Sequence, residues 1–245
     1  MNRWNPFYRL WEMTRERRLP PSLSSAMSEH DPHHLAYLRS LTKDLDNNRN
    51  TEVPLPDLEV VVVDLETTGF HPQQGDEIIA IGAVAMRGSQ VLQEESFSTL
   101  VQSSRKIPPH IVTLTGITDE ALASAPLPAA ALSQFFQFVG NRPMVAHHSR
   151  HEREFFRTAL WKTSRSRFVH RLLDTMLLIR LSSGPLGNVS LDALCAQHNI
   201  TIGKRHDAYH DALATAFLWG IYLEKAIQQG FRDLQEIYQE IGNQP

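Results

Sequence analysis

The chain has 245 residues, 42% of them hydrophobic, which is ample for one sizeable core plus an appendage. With a net charge of −3 it carries no global basic signal, so any polyanion site has to be a local patch. One cysteine, Cys195, excludes an internal disulfide framework and suits a reducing compartment, the cytoplasm, and no apolar run approaches the length of a membrane span.

Residues 1–56 read as an N-terminal helical extension and linker, and 57–245 as the main domain. Trp4, Phe7, Tyr8 and Trp11 recur at helical spacing, accompanied by Arg3, Arg9, Arg15, Arg17 and Arg18. A helix of this kind either packs on the main domain or docks a protein partner or a second copy through residues 1–20, since aromatics and arginine are favoured anchors. Pro20-Pro21 and the serine-rich run to Ser28 break the pattern. A second helix is expected from Pro32 to Leu45. Asp46 to Asn50, with Pro54 and Pro56, read as a linker.

The main domain opens on Glu59 to Phe70. Val60 to Val63 predict a strand buried on both faces. Ile78 to Met86 and Val91 to Leu100 predict two more strands, so the domain starts as an antiparallel meander. Ile107 to Thr118 is expected to be irregular. A helix follows over Pro128 to Val139, then a short buried strand over Met144 to Ala146. Further helices are expected at His151 to Trp161, Thr175 to Leu181, Ser190 to His198, Ala208 to Gln228 and Phe231 to Ile241. Strands first and strand–helix alternation later define an α/β domain with a mixed sheet. Cys195, among Leu191, Leu194 and Ala196, reads as a small buried hydrophobe.

Three places carry candidate chemistry. Asp64 and Glu66 end the buried strand and, two apart, share a face. They are either a solvated strand end or a pair that a hard divalent cation resolves. Glu152 lies in the first turn of a helix that follows a buried strand and a polar turn, either as a surface acid or as a site residue. Asp211 opens an alanine-rich helix. His206 is five residues earlier, about 140° away on an ideal helix, so it belongs to the loop before it. Gly69 is expected to end the first strand in a turn that can take positive φ.

In this order the places resemble one family, the DEDDh exonucleases, over about residues 57–229. Asp64-Leu65-Glu66-Thr67-Thr68-Gly69 matches the first motif, Asp-x-Glu-Thr-Thr-Gly. Ile78-Ile79-Ala80-Ile81-Gly82 is similar to the strand that follows it. Leu114-Thr115-Gly116-Ile117-Thr118, Asp174-Thr175 and His206-x-Ala208-x-x-Asp211-Ala212 match later signatures. The resemblance implies a ribonuclease-H-like fold, a mixed sheet flanked by helices. It also implies two divalent cations, Mg2+ or Mn2+, and 3′→5′ hydrolysis of nucleic acid, as in proofreading or DNA repair. Asp64, Glu66, Glu152 and Asp211 are the implied metal ligands and His206 the implied general base. Thr67, Thr68, Gly69, Phe70 and His147 are implied on the substrate side.

One departure stands out. The second motif, Ala-His-Asn-x-x-Phe-Asp, is here Ala146-His147-His148-Ser149-Arg150-His151-Glu152. Glu keeps the charge and oxygen donors of Asp but is one methylene longer, which implies a looser site for magnesium than for manganese. Arg142, Arg150, Arg153, Arg157, Lys162, Arg165, Arg167 and Arg171 surround this motif, either as a phosphate-binding rim or as a solvated face. Lys204 and Arg205 form a second small patch. The expected partner is nucleic acid with a single-stranded 3′ end, DNA ahead of RNA. An RNA-trimming or small-oligonucleotide nuclease and a catalytically weakened nucleic-acid-binding or polymerase accessory subunit are the alternatives.

Overall fold

The computed structural model describes residues 32–44, 51–184, 187 and 189–243; the aromatic helix expected near Trp4 to Trp11 and the Asp46 to Asn50 linker lie outside them. The four valines sit inside β1 (Glu59–Thr67) and are fully buried. β1 is the central strand. It pairs antiparallel with β2 (Ile78–Arg87), which pairs antiparallel with β3 (Gln90–Leu100). On its other side β1 runs parallel to β4 (Met144–Ala146), and β4 to β5 (Leu172–Asp174). The order is β3-β2-β1-β4-β5. The meander and the mixed sheet are as expected. β5 was not anticipated, because three residues are too few to show a period.

The helices are α1 (Pro32–Asp44), α2 (Pro109–Thr115), α3 (Asp119–Ala123), α4 (Pro128–Val139), α5 (Arg150–Ser164), α6 (Met176–Ser183), α7 (Leu191–Gln197), α8 (Ala208–Gln228) and α9 (Leu234–Asn243). The stretch expected to be irregular, Ile107 to Thr118, contains α2. Pro109 starts that helix rather than breaking a strand, since proline's fixed φ suits a first helical turn. Gly116, at φ 75°, ends it, and Thr118 caps α3 by accepting from the Ala121 amide at 3.3 Å.

Side-chain alternation in β1 divides the valines between two cores. Val61 and Val63 pack with Phe135 and Phe136 of α4, Phe155 and Phe156 of α5, and Leu38 of α1. Val60 and Val62 pack with Leu218, Trp219 and Tyr222 of α8, with α6 and α7, and with Leu234 and Ile237 of α9. Each such side chain contributes about 1.5–3 kcal/mol on burial, as an upper figure. The second helix of the expected extension, α1, therefore supplies a core residue, and Arg39 Nε donates to the Ser164 carbonyl at 3.1 Å. Cys195 is free and buried in the α8-side core.

One glycine sets the distance between sheet and site. Gly82 on β2 lies opposite Asp64 in register. A Cβ there would stand 2.1 Å from the Ala208 carbonyl carbon and 2.2 Å from the Tyr209 nitrogen. The first turn of α8 thus rests directly on the β2 backbone, beside Asp64.

Candidate active site

Alternation that places Val60 and Val62 towards α8 carries on to Asp64 and Glu66, which point the same way. Asp211 meets them from the first turn of α8, and Glu152 from the first turn of α5. Glu66, Glu152 and Asp211 are 8%, 4% and 2% exposed. Burial, followed by the charges of Glu152, Glu66 and Asp211, pushes Asp64 well above the usual carboxylate range, against the pull of Arg205. Glu66 is pushed up to about 7 by burial and then by Asp211 and Asp207. Burial also raises Asp211, with Arg205 opposing.

His206 lies in the loop before α8, as expected. Its backbone is left-handed, at φ 56°, and its amide donates to Asp211 Oδ2 at 3.0 Å. Among the described residues, Glu66, His206 and Asp211 bring ligand atoms within 4.8 Å of one another. Asp211 Oδ1 and Glu152 Oε2 are buried with no hydrogen-bond partner. Buried carboxylate oxygens left without donors are costly, and a hard cation relieves them. An oxygen-rich set with one imidazole fits magnesium or manganese.

Two neighbours of this set escaped the sequence. Arg205 donates from Nε to Asp192 Oδ1 at 2.6 Å, from Nη2 to Asp192 Oδ2 at 3.2 Å, and from Nη1 to Asp211 Oδ2. Only its place in a basic pair was visible beforehand. Its partners belong to two different helices, α7 and α8. His151 Nδ1 lies 3.1 Å from Glu152 Oε1, while its ring packs 4.7 Å from Phe155 and 6.1 Å from Phe70. The signal for it was the histidine standing where the resembling motif has phenylalanine.

The remaining candidates separate into those facing solvent and those already occupied. Phe70 is 73% exposed beside His151. Thr67 Oγ1 donates to the Gly69 carbonyl at 2.7 Å, and the Thr68 amide donates to the Glu77 carbonyl at 2.9 Å. Gly69 does not take positive φ. A Cβ there would stand 2.4 Å from an Asp76 carboxylate oxygen, so any larger residue must displace that side chain. His147 bonds Thr175 Oγ1 at 2.7 Å and the Val189 carbonyl at 2.9 Å, so both ring nitrogens are used within the fold. Burial and then His148 lower its pKa. Asp174 accepts from the Ser149 amide at 2.8 Å and fixes the start of α5. Arg153 Nη2 donates to the Leu172 carbonyl at 2.7 Å and ties α5 to β5. Arg150, on the outer face, pairs with Glu154 at 3.0 Å. Farther along α5, Trp161 is 53% exposed with the Arg165 guanidinium 5.5 Å from its ring. Arg157, Trp161, Arg167 and Phe168 line a hollow of about 610 Å³ there.

A model of the family described as Exonuclease (RNase_T) matches residues 61–218. A DNA polymerase III subunit epsilon-like protein of Rhodobacter capsulatus is 38% identical over 167 residues, covering 67% of this chain and 24% of its own length. The chain thus spans about a quarter of that relative. Exonuclease X in complex with 5′-overhanging duplex DNA superposes with a TM-score of 0.54 at 22% identity, over 68% of this chain and 92% of that one. The nuclease domain of 3′hExo, a DEDDh family member bound to rAMP, gives 0.56 at 18% identity, over 70% and 92%. Both share the fold. With the matched region spanning β1 to α8, the chain belongs to the exonuclease family.

Proposed function

We propose that this protein is a metal-dependent 3′→5′ exonuclease that releases nucleoside monophosphates from single-stranded 3′ ends, DNA in preference to RNA. The observation that carries this is the convergence of Glu66, His206 and Asp211 within 4.8 Å, with Asp211 Oδ1 buried and unpartnered. Glu66 and Asp211 would hold one divalent cation and Glu152 a second, with Asp64 shared between them. When bound, such ions supply Lewis-acid activation of a water and neutralise charge on the leaving oxygen.

The chain's own residues supply the rest. His206 is the base that accepts the proton of the attacking water, since an imidazole can take a proton near neutral pH. Its amide keeps Asp211 oriented while the ring faces Glu66. Phe70 offers an exposed ring for the terminal base. Arg157, Arg165 and Arg167, exposed on α5 and just beyond it, offer charge for the phosphates behind it. The name of the epsilon-like relative favours a place beside a DNA polymerase, in proofreading or repair.

The test is degradation of matched 5′-labelled DNA and RNA strands with Mg2+ and then Mn2+. Shortening from the 3′ end with mononucleotide release is expected, faster on DNA. Asp64→Ala and Asp211→Ala should each abolish it. Substantial activity in either variant overturns the assignment of the site, and binding without release supports an accessory role instead.

A further inference from the structure

We infer that His151 is a positioning residue for Glu152, and that the two depart from the Phe-Asp motif as a matched pair. This rests on the proposed metal site. Successive residues on a helix point about 100° apart, so a contact between them is not automatic. Here the His151 ring packs against Phe155, one turn along α5, with the Phe70 ring edge-on at 6.1 Å. Nδ1 then meets Glu152 Oε1 at 3.1 Å. Donation to a carboxylate puts the proton on Nδ1. Nε2 is buried without a protein partner and needs none to serve this purpose.

The contact solves a specific problem. Glutamate has one more rotatable bond than aspartate and reaches farther by one C–C bond, about 1.5 Å. Left loose in the first turn of α5, its carboxylate would sample several rotamers. The imidazole engages Oε1 and leaves Oε2 buried and free. Oε2 is therefore the oxygen on offer to a cation. A phenyl ring at position 151 could not do this, and an aspartate at 152 would not require it.

The experiment measures Mn2+ binding to the full chain by calorimetry, with unfolding monitored in parallel. Wild type is compared with His151→Phe, Glu152→Asp, the double variant and His151→Asn. His151→Phe and Glu152→Asp should each weaken Mn2+ binding about tenfold. The double variant, which restores the Phe-Asp pair, should bind within about threefold of wild type. His151→Asn, whose amide keeps a donor near Nδ1, should also stay close to wild type. If the two single losses multiply in the double variant, or if His151→Phe binds as wild type does, the inference is overturned. Should the phenyl variant fail to fold, the same cycle with His151→Leu decides it. Asp64→Asn separates the two levels. If it binds Mn2+ undiminished, the metal site is misplaced and the inference falls with it. If it loses binding while positions 151 and 152 show no coupling, only the inference falls.

Discussion

Arg205 grips Asp211 and Asp192 at once, and so joins the first turns of α7 and α8 across the candidate site. Its guanidinium is a positive charge common to Asp64, Glu66 and Asp211, each of which it pulls back toward ionisation. Replacing it with methionine keeps much of the stem and removes the charge. Arg205→Met should lower stability in EDTA by about 1–3 kcal/mol. Saturating Mn2+ should narrow that gap, because a cation then offsets the same carboxylates. Denaturant melts with and without Mn2+ check this. An equal gap in both would mean that Arg205 only ties the helices.

Stability in EDTA should also depend on pH in an unusual direction. Glu66 is raised from 4.5 to about 7, and Asp64 and Asp211 move the same way. The folded chain therefore holds these protons more tightly than the unfolded chain does. Their contribution is fully present below the unfolded pKa, near 4.5 for Glu66, and is lost as pH rises through about 7. Glu77 and Asp207 are lowered and act in the opposite sense in more acid solution, and His147, His170 and His198, also lowered, make stability rise with pH until about 6.5, the ordinary histidine value. Melting temperatures in EDTA should therefore fall from about pH 6.5 to pH 8, where the histidines no longer titrate and the raised carboxylates do. Glu66→Gln should flatten the profile, and added metal should reverse the fall.

His206→Ala tests the division of labour within the three-residue group. Loss of a general base slows the chemical step by about 10²–10⁴-fold. Mn2+ binding should stay near normal, because the backbone amide that orients Asp211 survives the substitution. Single-turnover rates and calorimetry separate these quantities. A parallel loss of Mn2+ affinity would make the imidazole a ligand instead.

Gly82→Ala should damage the site from beneath. The new methyl would meet the Ala208 carbonyl carbon at 2.1 Å, so α8 must move away from β2. Overpacking of this kind costs about 1–3 kcal/mol. Asp211, one turn along, moves with the helix, so activity should drop further than stability alone explains. Gly242→Ala, with nothing within 4 Å of its Cβ, is the control and should behave as wild type. Comparing strand degradation well below both melting temperatures distinguishes the two effects.

The valine run and the Asp64–Glu66 spacing made the central strand and half of the candidate site legible, because burial and alternation are local properties. α4 and α8 were equally readable, since both repeat apolar residues over many turns. β5 and α2 were not. One is only three residues long, and the other begins at prolines that a local reading takes as breakers. Among the site neighbours, Arg205 and Arg153 looked like phosphate ligands because charge is visible in sequence and partners are not. Arg205 is engaged by Asp192 and Asp211, and Arg153 by the Leu172 carbonyl. At Gly69 the sequence shows a turn residue but not the nearness of the Asp76 carboxylate, which is a tertiary fact.

The carboxylates come from β1, α5 and α8, and they meet only when α8 settles on β2 at Gly82. During synthesis the chain emerges from its N-terminus. The β1–β2–β3 hairpins and the acids at positions 64 and 66 can therefore form well before residues 206–211 leave the ribosome. Until then the growing chain lacks His206 and Asp211, the last two members of the proposed site. On the proposed function, a chain at that stage would not yet carry the complete set of groups for cutting a strand near its place of manufacture. On the same reading, a chain interrupted before position 206 would be inactive.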